Sequence, residues 1–382
     1  MRKTLVIAGE TSGDRLAAHA LRKAQSLARE RGDTLDLYGI GGEQCKQLGM
    51  RLLHSSDEMS VVGFWEVAKK YFFFRKVFNE IVALLDNPDT RPDTLFLVDY
   101  PGFNLRLAKE AKKRGIRVVF YVSPQVWAWK AGRIKQIVRD VDELLVIFPF
   151  EEKIYKEAGM TNVHFVGHPL VEFISEEEKS FLSKEEFAKK HHFDTAKKWL
   201  LIFPGSRREE VVRHADTMIA AATEFDPQNL FEIVVIRSSH IADNLYPVAF
   251  AIESFRGSSA EIHELIHHSD LGILKSGTTT LEAGLMQLPG VICYKTSTLT
   301  YRIAKRFMKL SNIGLVNIVL GKTLYPEYIQ QQFTVANIVK GLKEVESRHS
   351  EFATSLSSLR EKLHSDGDGT PSERVASYLL QK

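Results

Sequence analysis

The sequence is poor in cysteine and contains no long apolar run. Its two cysteines, Cys45 and Cys293, lie far apart among 382 residues and have no metal-ligand spacing. Two cysteines cannot cross-link a chain of this length, so a hydrophobic core must stabilise it, as in a reducing compartment. No uninterrupted apolar stretch reaches the roughly 18 residues that a spanning helix needs. Any contact with a membrane is therefore expected to be peripheral.

A strong excess of charge of either sign is also missing. Lysine and arginine total 51 against 48 aspartates and glutamates, a formal net charge of +3. Proteins built to bind nucleic acid are usually more basic, so no nucleic-acid partner is predicted. The 44% of hydrophobic residues is ordinary for a globular protein and excludes wholesale disorder.

Short apolar runs alternate with helical patterns along most of the chain. Continuous runs of this kind are typical of strands buried on both faces of a parallel sheet. The alternation predicts an α/β fold of two Rossmann-like, doubly wound domains, residues 1–170 and 171–345, followed by helices over 346–382. The predicted strands are 4–8, 35–40, 94–98, 117–122, 143–148, 163–166, 199–203, 231–236, 271–274 and 290–294.

Polar side chains follow several strands of the first domain, at the carboxyl ends where such folds bind ligands. Asp99 comes directly after the run 94–98, and partial burial there would raise its pKa toward that of a general base. The alternative is an aspartate that only caps the next turn. Tryptophans could stack on a ring or belong to the core, and a lone histidine is more often structural. The candidates here are Ser12, Gly13, Asp14, Asp99, Asn104, Ser123, Trp127, Trp129 and His168.

Two loops of the second domain combine a glycine turn with the start of a helix. They read PGSRREEV at 204–211 and SGTTTLE at 276–282. Backbone N–H groups and Arg207 would bind a diphosphate without a metal, and Glu282 could accept from ribose hydroxyls. The D-x-D matches at 140–142 and 366–368 are not predicted metal sites. The predicted donor-site residues are Gly205, Ser206, Arg207, Glu210, Ser276, Gly277, Thr278 and Glu282.

The segment 64–82 predicts an amphipathic helix with aromatic residues on both faces. Its core stripe would be Phe64, Val67, Ala68, Tyr71, Phe74, Phe78, Ile81 and Val82. The opposite face combines aromatic residues with lysines, which suits an anionic membrane interface. Burial against another element or a dimer partner is the alternative. The predicted docking residues are Trp65, Lys69, Phe72, Phe73 and Lys76.

At these loops the sequence resembles the lipid-A-disaccharide synthase family, glycosyltransferases of GT-B fold. The resemblance covers essentially the whole chain. It departs at Lys275, where the family usually has a small residue, and at Val316, where proline is usual. The matching motifs are AGETSGD at 8–14, VGFWEV at 62–67, VDYPGFN at 98–104, YVSPQVWAW at 121–129, FPFE at 148–151, VGHPL at 166–170, PGSRREEV at 204–211, SGTTTLE at 276–282 and PEYIQ at 326–330.

The resemblance implies a metal-independent, inverting transfer without a cofactor. UDP-2,3-diacylglucosamine would donate to 2,3-diacylglucosamine 1-phosphate, lipid X, giving the β-1,6 disaccharide 1-phosphate and UDP. It implies two domains facing a cleft, with Asp99 as base and Asn317 among the acceptor residues. The terminal helices would return to the first domain. The substrates place the enzyme on the cytoplasmic face of a Gram-negative inner membrane, and a homodimer is a further candidate assembly.

Three alternatives stay open at this stage. The N-acetylglucosaminyltransferase of peptidoglycan lipid intermediates shares the fold, but its first loop should be richer in glycine and histidine than residues 9–14. A non-hydrolysing UDP-sugar epimerase gives no reason for exposed aromatics at 65, 72 and 73. A non-enzymatic UDP-sugar-binding protein at the membrane surface predicts binding without turnover.

Overall fold

The computed structural model describes residues 2–59, 71–127, 132–246, 252–298, 300–302, 311–365 and 367–381. The chain divides into two compact units. Met1–Glu172 and His364–Lys382 form the first, and Phe173–Leu363 form the second. Each unit is built around one parallel β-sheet with helices on its faces.

The sheet of the first unit has strand order β3-β2-β1-β4-β5-β6-β7, and its described pairings are all parallel. The order reverses between β1 and β4. In open α/β sheets such a switch point leaves a crevice at the carboxyl ends of the two strands, where ligands bind. The strands are β1 (Arg2–Ala8), β2 (Leu35–Gly41), β3 (Arg51–Ser55), β4 (Thr94–Val98), β5 (Arg117–Tyr121), β6 (Glu143–Val146) and β7 (Val163–Phe165).

Apolar side chains alternate between the two faces of this sheet, as the two-residue period of a strand requires. Leu5 and Ile7 of β1 belong to one core cluster, and Val6 and Ala8 belong to the other. The described helices that begin before the boundary are α1 (Thr11–Glu30), α2 (Glu43–Gln47), α3 (Ser56–Met59), α4 (Tyr71–Asp86), α5 (Pro101–Lys113), α6 (Arg133–Asp140), α7 (Pro149–Glu157) and α8 (Pro169–Glu177), which crosses it.

The second unit repeats this plan with strand order β10-β9-β8-β11-β12-β13, and its switch point lies between β8 and β11. The strands are β8 (Lys198–Phe203), β9 (Phe231–Ile236), β10 (Ile252–Phe255), β11 (Leu271–Lys275), β12 (Gly290–Tyr294) and β13 (Glu327–Ile329). The helices are α9 (Lys184–His191), α10 (Arg208–Phe225), α11 (Ser259–His268), α12 (Thr278–Leu285), α13 (Leu315–Leu320), α14 (Val335–Ser347) and α15 (His349–Leu363), with 3-10 turns at Glu178–Ser180, Asp243–Leu245 and Gln330–Gln332.

The last helix, α16 (Pro371–Leu380), belongs to the first unit and packs against α1. Helix α15 stays with the second unit, where Arg360 Nη2 lies 2.7 Å from Glu178 Oε1. The return therefore begins at residue 364 rather than at the predicted 346. The first division, between 172 and 173, lies close to the predicted one.

The predicted fold class, two doubly wound parallel sheets of GT-B type, is confirmed, and each of the ten predicted strands corresponds to a strand of the structure. The sequence did not predict β3, β10 and β13. All three are edge strands whose residues are mostly half-exposed or exposed, so they lack the continuous apolar run of a buried strand. Among the described residues, no helix has the length and hydropathy needed to cross a bilayer.

Candidate active site

Asp99 lies at the switch point of the first sheet, directly after β4. Its backbone N–H donates to the carbonyl of Tyr121, 2.9 Å away on β5. Asp99 and Tyr100 have φ values of 46° and 50°. Two consecutive non-glycine residues in the left-handed region are costly and persist only where surrounding contacts hold them. The turn therefore presents Asp99 in a constrained geometry.

Three side-chain features hold this turn. The amide nitrogen of Asn104 donates to the carbonyl of Asp99 at 2.7 Å, and the hydroxyl of Tyr100 donates to the carbonyl of Met59 at 3.1 Å. The ring of Tyr100 packs on Gly9, where an added Cβ would lie 2.6 Å from a ring carbon. Only glycine leaves room there, so the first loop and the Asp99 turn are fitted to each other.

The environment of Asp99 suits a proton acceptor near neutral pH. Burial raises the pKa of its carboxyl to about 6, and the negative charge of Glu10 contributes in the same direction. A base is most effective when its pKa lies close to the working pH. Glu10 immediately precedes α1 and was not among the predicted site residues.

A buried carboxyl organises the ends of β5 and β6. Glu151 Oε1 accepts from the hydroxyl of Ser123 at 2.9 Å and from the indole N–H of Trp127 at 3.1 Å. Burial raises the pKa of Glu151 to about 7. Glu151 was also missed as a site residue, although it ends the FPFE motif at the start of α7. It fixes the orientation of two predicted acceptor residues.

His168 is buried and structural in its contacts. Its Nδ1 accepts from the backbone N–H of Leu170 at 3.2 Å, in the first turn of α8. Burial lowers the pKa of His168 to about 3, so the ring is neutral at physiological pH. The ring also packs on Phe148 at a centroid distance of 5.1 Å.

Two glycine turns meet at the switch point of the second sheet. Since β8 and β11 are paired, with Phe203 opposite Leu274, the loops that follow them lie side by side. Gly205 and Gly277 have φ values of 137° and 147°, a region that side chains rarely adopt. Helix α10 follows the first turn and α12 the second. Both N-termini expose backbone N–H groups that favour an anion.

Glu210 and Lys275 form an ion pair within this switch point. Lys275 Nζ lies 3.1 Å from Glu210 Oε1, and both side chains are largely buried. Glu210 Oε2 also accepts from the backbone N–H of Ser206 at 3.1 Å. An added Cβ on Gly205 would lie 2.7 Å from Glu210 Oε2. The glycine therefore leaves space for the carboxylate, and the carboxylate satisfies one N–H of the loop.

His214 holds the loop after β8 through hydrogen bonds of its ring. Its Nδ1 lies 2.8 Å from the carbonyl of Pro204, and the N–H of Lys295 donates to its Nε2 at 2.9 Å. Burial lowers the pKa of His214, which is consistent with a neutral ring that donates on one side and accepts on the other. No sequence motif marks this residue.

Glu282, the predicted ribose-binding residue, has a charged neighbour. His263 Nε2 lies 3.8 Å from Glu282 Oε1, and His263 Nδ1 bonds to Glu177. Burial lowers the pKa of His263, but the hydrogen bonds and charges of Glu177 and Glu282 raise it to about 9 overall. The histidine is therefore protonated at neutral pH and orients Glu282. The hydroxyl of the nearby Ser276 donates to the carbonyl of Ile313 at 3.0 Å.

Comparison with known proteins identifies the family of this chain. The profile of the lipid-A-disaccharide synthetase family matches residues 4–376. The lipid-A-disaccharide synthase of Trichlorobacter lovleyi is 37% identical over 386 residues, which cover 99% of this chain and 97% of the relative. The chain belongs to the lipid-A-disaccharide synthetase family. The predicted family and enzyme class, a glycosyltransferase of lipid A disaccharide synthesis, are confirmed.

Solved structures share the fold of this lipid-A-disaccharide synthetase family member at low sequence identity. The UDP-GlcNAc 2-epimerase of Neisseria meningitidis, bound to UDP-GlcNAc, superposes with a TM-score of 0.63 at 13% identity and covers 99% of both chains. The calicheamicin glycosyltransferase CalG4 superposes with a TM-score of 0.57 at 14% identity, over 99% of this chain and 97% of its own. Both comparisons bear on fold alone.

Two predicted acceptor residues of this family member make hydrogen bonds within the fold. The carboxylate of Asp14 accepts from the backbone N–H groups of Gly42, Gln44 and Cys45, at 2.7, 3.0 and 3.2 Å, and so caps α2. The fully buried Asn317 donates to the carbonyl of Tyr325 and to Glu327, and its oxygen accepts from two backbone N–H groups. Both side chains therefore have structural partners within the fold, and their contact with an acceptor stays a prediction.

The face of the predicted docking helix that is buried in the structure differs from the face predicted from the sequence. Helix α4 buries Val77, Ile81 and Leu85, and Phe73 packs partly against this core. The prediction was wrong for Phe73, and for Tyr71, which is exposed. The buried stripe follows the four-residue spacing 77, 81, 85, which turns Tyr71 and Phe72 toward solvent. Phe72 is 76% exposed.

Some predicted residues lie outside the described part of the chain. They are Trp65 and Lys69 of the docking face, with Phe64, Val67 and Ala68 of its stripe, and Trp129 of the acceptor set. Within the described ranges, no group of three or more histidine, cysteine, aspartate or glutamate side chains is arranged to hold a metal ion.

Proposed function

We propose that this chain transfers the diacylglucosaminyl group of UDP-2,3-diacylglucosamine to the 6-hydroxyl of 2,3-diacylglucosamine 1-phosphate. The products are the β-1,6-linked disaccharide 1-phosphate and UDP. The observation that carries this proposal is Asp99, a constrained carboxylate at a sheet switch point with a pKa raised to about 6. Such a group suits the removal of a proton from a sugar hydroxyl at neutral pH.

The proposed reaction is a single displacement at the anomeric carbon. Asp99 takes the proton of the acceptor 6-hydroxyl as its oxygen forms the new glycosidic bond. The bond between the anomeric carbon and the diphosphate oxygen breaks on the opposite side, and its electron pair leaves with UDP. Attack opposite the leaving group inverts the anomeric configuration, so an α-linked donor gives a β-linked product.

The second unit would hold the donor. The N-termini of α10 and α12, together with the exposed guanidinium of Arg207, favour the diphosphate and the negative charge that grows as it leaves. Glu282, oriented by the protonated His263, suits acceptance of hydrogen bonds from ribose hydroxyls. We propose that these groups replace a metal ion, so the activity should survive chelation.

Both proposed substrates carry acyl chains, which remain in a membrane. The exposed Tyr71 and Phe72 at the start of α4, beside the exposed Lys76, supply an aromatic and basic surface suited to an anionic bilayer. We therefore propose peripheral contact with the cytoplasmic face of the inner membrane of a Gram-negative bacterium.

The test is a purified-enzyme assay with UDP-2,3-diacylglucosamine and lipid X, with products identified by mass spectrometry in the presence and absence of EDTA. We expect the disaccharide 1-phosphate and UDP in equal amounts under both conditions. Absence of disaccharide from the wild type would contradict the proposal. Loss of activity with EDTA would contradict only its metal-independent part.

Parallel reactions separate the alternatives. UDP-GlcNAc alone tests for 2-epimerisation, and UDP-GlcNAc with a peptidoglycan lipid intermediate tests for the related transferase. We expect neither product. UDP binding without turnover of any of these substrates would indicate a non-enzymatic binding protein.

A further inference from the structure

An intramolecular anion occupies part of the loop that the proposed function assigns to the donor diphosphate. Glu210 is in the first turn of α10, and its Oε2 accepts from the N–H of Ser206, 3.1 Å away. A negative carboxylate at this position repels a diphosphate unless its charge is compensated. The switch point therefore needs a cation beyond Arg207 if it is to attract an anion.

Lys275 is placed to supply that compensation. It is the last residue of β11, and its Nζ lies 3.1 Å from Glu210 Oε1, on the carboxylate oxygen that Ser206 leaves available. The same Nζ lies 3.2 Å from the position of a Cβ on Gly277, so the ammonium also adjoins the second anion-favouring turn. The lysine and glutamate side chains are only 19% and 11% exposed, which limits screening by water.

We propose that Lys275 is a positioning residue for the donor site. It acts through Glu210: its ammonium neutralises the carboxylate and holds it on the loop of α10. The positive charges of Arg207 and of the two helix N-termini then make the local electrostatic potential positive. The inference rests on the proposed donor site and assigns a role to a side chain for which the reaction itself gives no reason.

The test compares the affinities of variants for UDP and for uridine, which lacks the diphosphate. Lys275→Met leaves a buried carboxylate uncompensated, and we expect UDP to bind about 10- to 100-fold more weakly, with uridine unchanged. Lys275→Arg keeps the charge and should bind UDP nearly as the wild type does. The double variant Lys275→Met/Glu210→Gln removes both charges and should recover most of the lost affinity.

Lys190→Met is the matched control, since Lys190 pairs with Glu261 at the same 3.1 Å distance elsewhere in the second unit. It should leave UDP affinity unchanged. Thermal melts of all variants report on folding, and the double variant keeps the test valid if Lys275→Met alone is unstable. Calorimetry measures UDP binding, and ligand-observed NMR measures uridine binding.

Each outcome has a defined meaning. Unchanged UDP affinity in Lys275→Met overturns the inference. Equal losses in Lys275→Met and in the double variant also overturn it, because Lys275 would then act on the diphosphate directly rather than through Glu210. Equal losses for UDP and uridine indicate a merely structural lysine and overturn it as well. Failure of the wild type to bind UDP overturns the proposed donor site, and this is read before any variant.

Discussion

The two sheets of this chain carry opposite charges at the same topological position. At the switch point of the first sheet stand the carboxylates of Glu10 and Asp99. At that of the second stand Arg207 and Lys275, with Glu210 compensated by the lysine. The crevice is a property of strand order, whereas its chemistry comes from a few loop residues. One topology thus places carboxylates at the switch point of one unit and cations at the switch point of the other.

Glycine serves the two switch points differently. In the first, Gly9 has no positive φ, and it makes room for the ring of Tyr100. The positive φ values there belong to Asp99 and Tyr100. In the second, Gly205 and Gly277 themselves adopt positive φ and free the N–H groups of the following helices. The positive φ values thus belong to Asp99 and Tyr100 in one unit and to glycines in the other.

Removal of the Asp99 charge should have the largest effect. Asp99→Asn keeps the size of the side chain but abolishes the base, and kcat should fall about 10²–10⁴-fold. UDP affinity, measured by calorimetry, should not change, because the donor groups belong to the second unit. A near-normal kcat would contradict the role of Asp99 as the base. It would also contradict the proposed assignment of the base to the first unit and of the donor site to the second.

The converse variant is Arg207→Ala. Loss of a cation that stabilises the leaving diphosphate should lower kcat/KM for the donor about 10²-fold and weaken UDP binding, unlike Asp99→Asn. Arg208→Ala is the control, since Arg208 is the neighbouring exposed arginine. Equal losses of kcat/KM and UDP affinity in the two variants would indicate attraction by a diffuse basic surface rather than a specific contact of the Arg207 guanidinium.

A smaller effect concerns pH. The raised pKa of Asp99, about 6, means that its basic form is lost as the pH falls through that value. The rate constant kcat/KM should therefore drop about tenfold per unit below pH 6. Glu10→Gln removes a repulsive charge, lowers the pKa of Asp99 and should move this limb to lower pH. The control is Glu43→Gln, also at the start of a helix, which should leave the pH profile unchanged. If Glu10→Gln does not move the acidic limb, Glu10 does not influence the pKa of Asp99.

The smallest expected effect tests whether the first unit alone carries the membrane surface. Full burial of a large apolar side chain is worth about 1.5–3 kcal/mol. Phe72 at an interface would be only partly inserted, so Phe72→Ser should lower the partition coefficient onto anionic vesicles by up to about tenfold. Leu230→Ser in the second unit removes a side chain that is 58% exposed and should have no effect. Sedimentation with vesicles measures both, and an unchanged Phe72→Ser would exclude that residue from docking.

The buried strands could be predicted from sequence, but three of the four described edge strands, β3, β10 and β13, could not. Central strands such as β8, whose residues are nearly all buried, are continuous apolar runs because helices cover both faces. Edge strands have one free side, and β10 exposes two of its four residues. The apolar signal of β3, β10 and β13 is therefore weak, and these three strands became visible only through pairing with a neighbour.

The candidate site divides in a similar way. Asp99 and the two glycine turns follow apolar runs, so their position at strand ends could be predicted. Asp14 and Asn317 make hydrogen bonds within the fold that the sequence did not predict, because a polar residue that binds substrate and one that caps a helix look alike in sequence. His263 and Glu177 lie 86 residues apart and bear no motif.

The family, the alternation of strands and helices, and the glycine and polar loops at strand ends follow from local runs and motifs, so the amino-acid order was enough to predict them. Tertiary structure alone decided which loops became neighbours and which charges met. The pairing of β8 with β11 brought Lys275 to Glu210, and the approach of the Glu10 loop helped to raise the pKa of Asp99. Burial and charge proximity are properties of three-dimensional packing, and they raise the pKa of Asp99, pair Glu210 with Lys275 and make Asp14 the cap of α2.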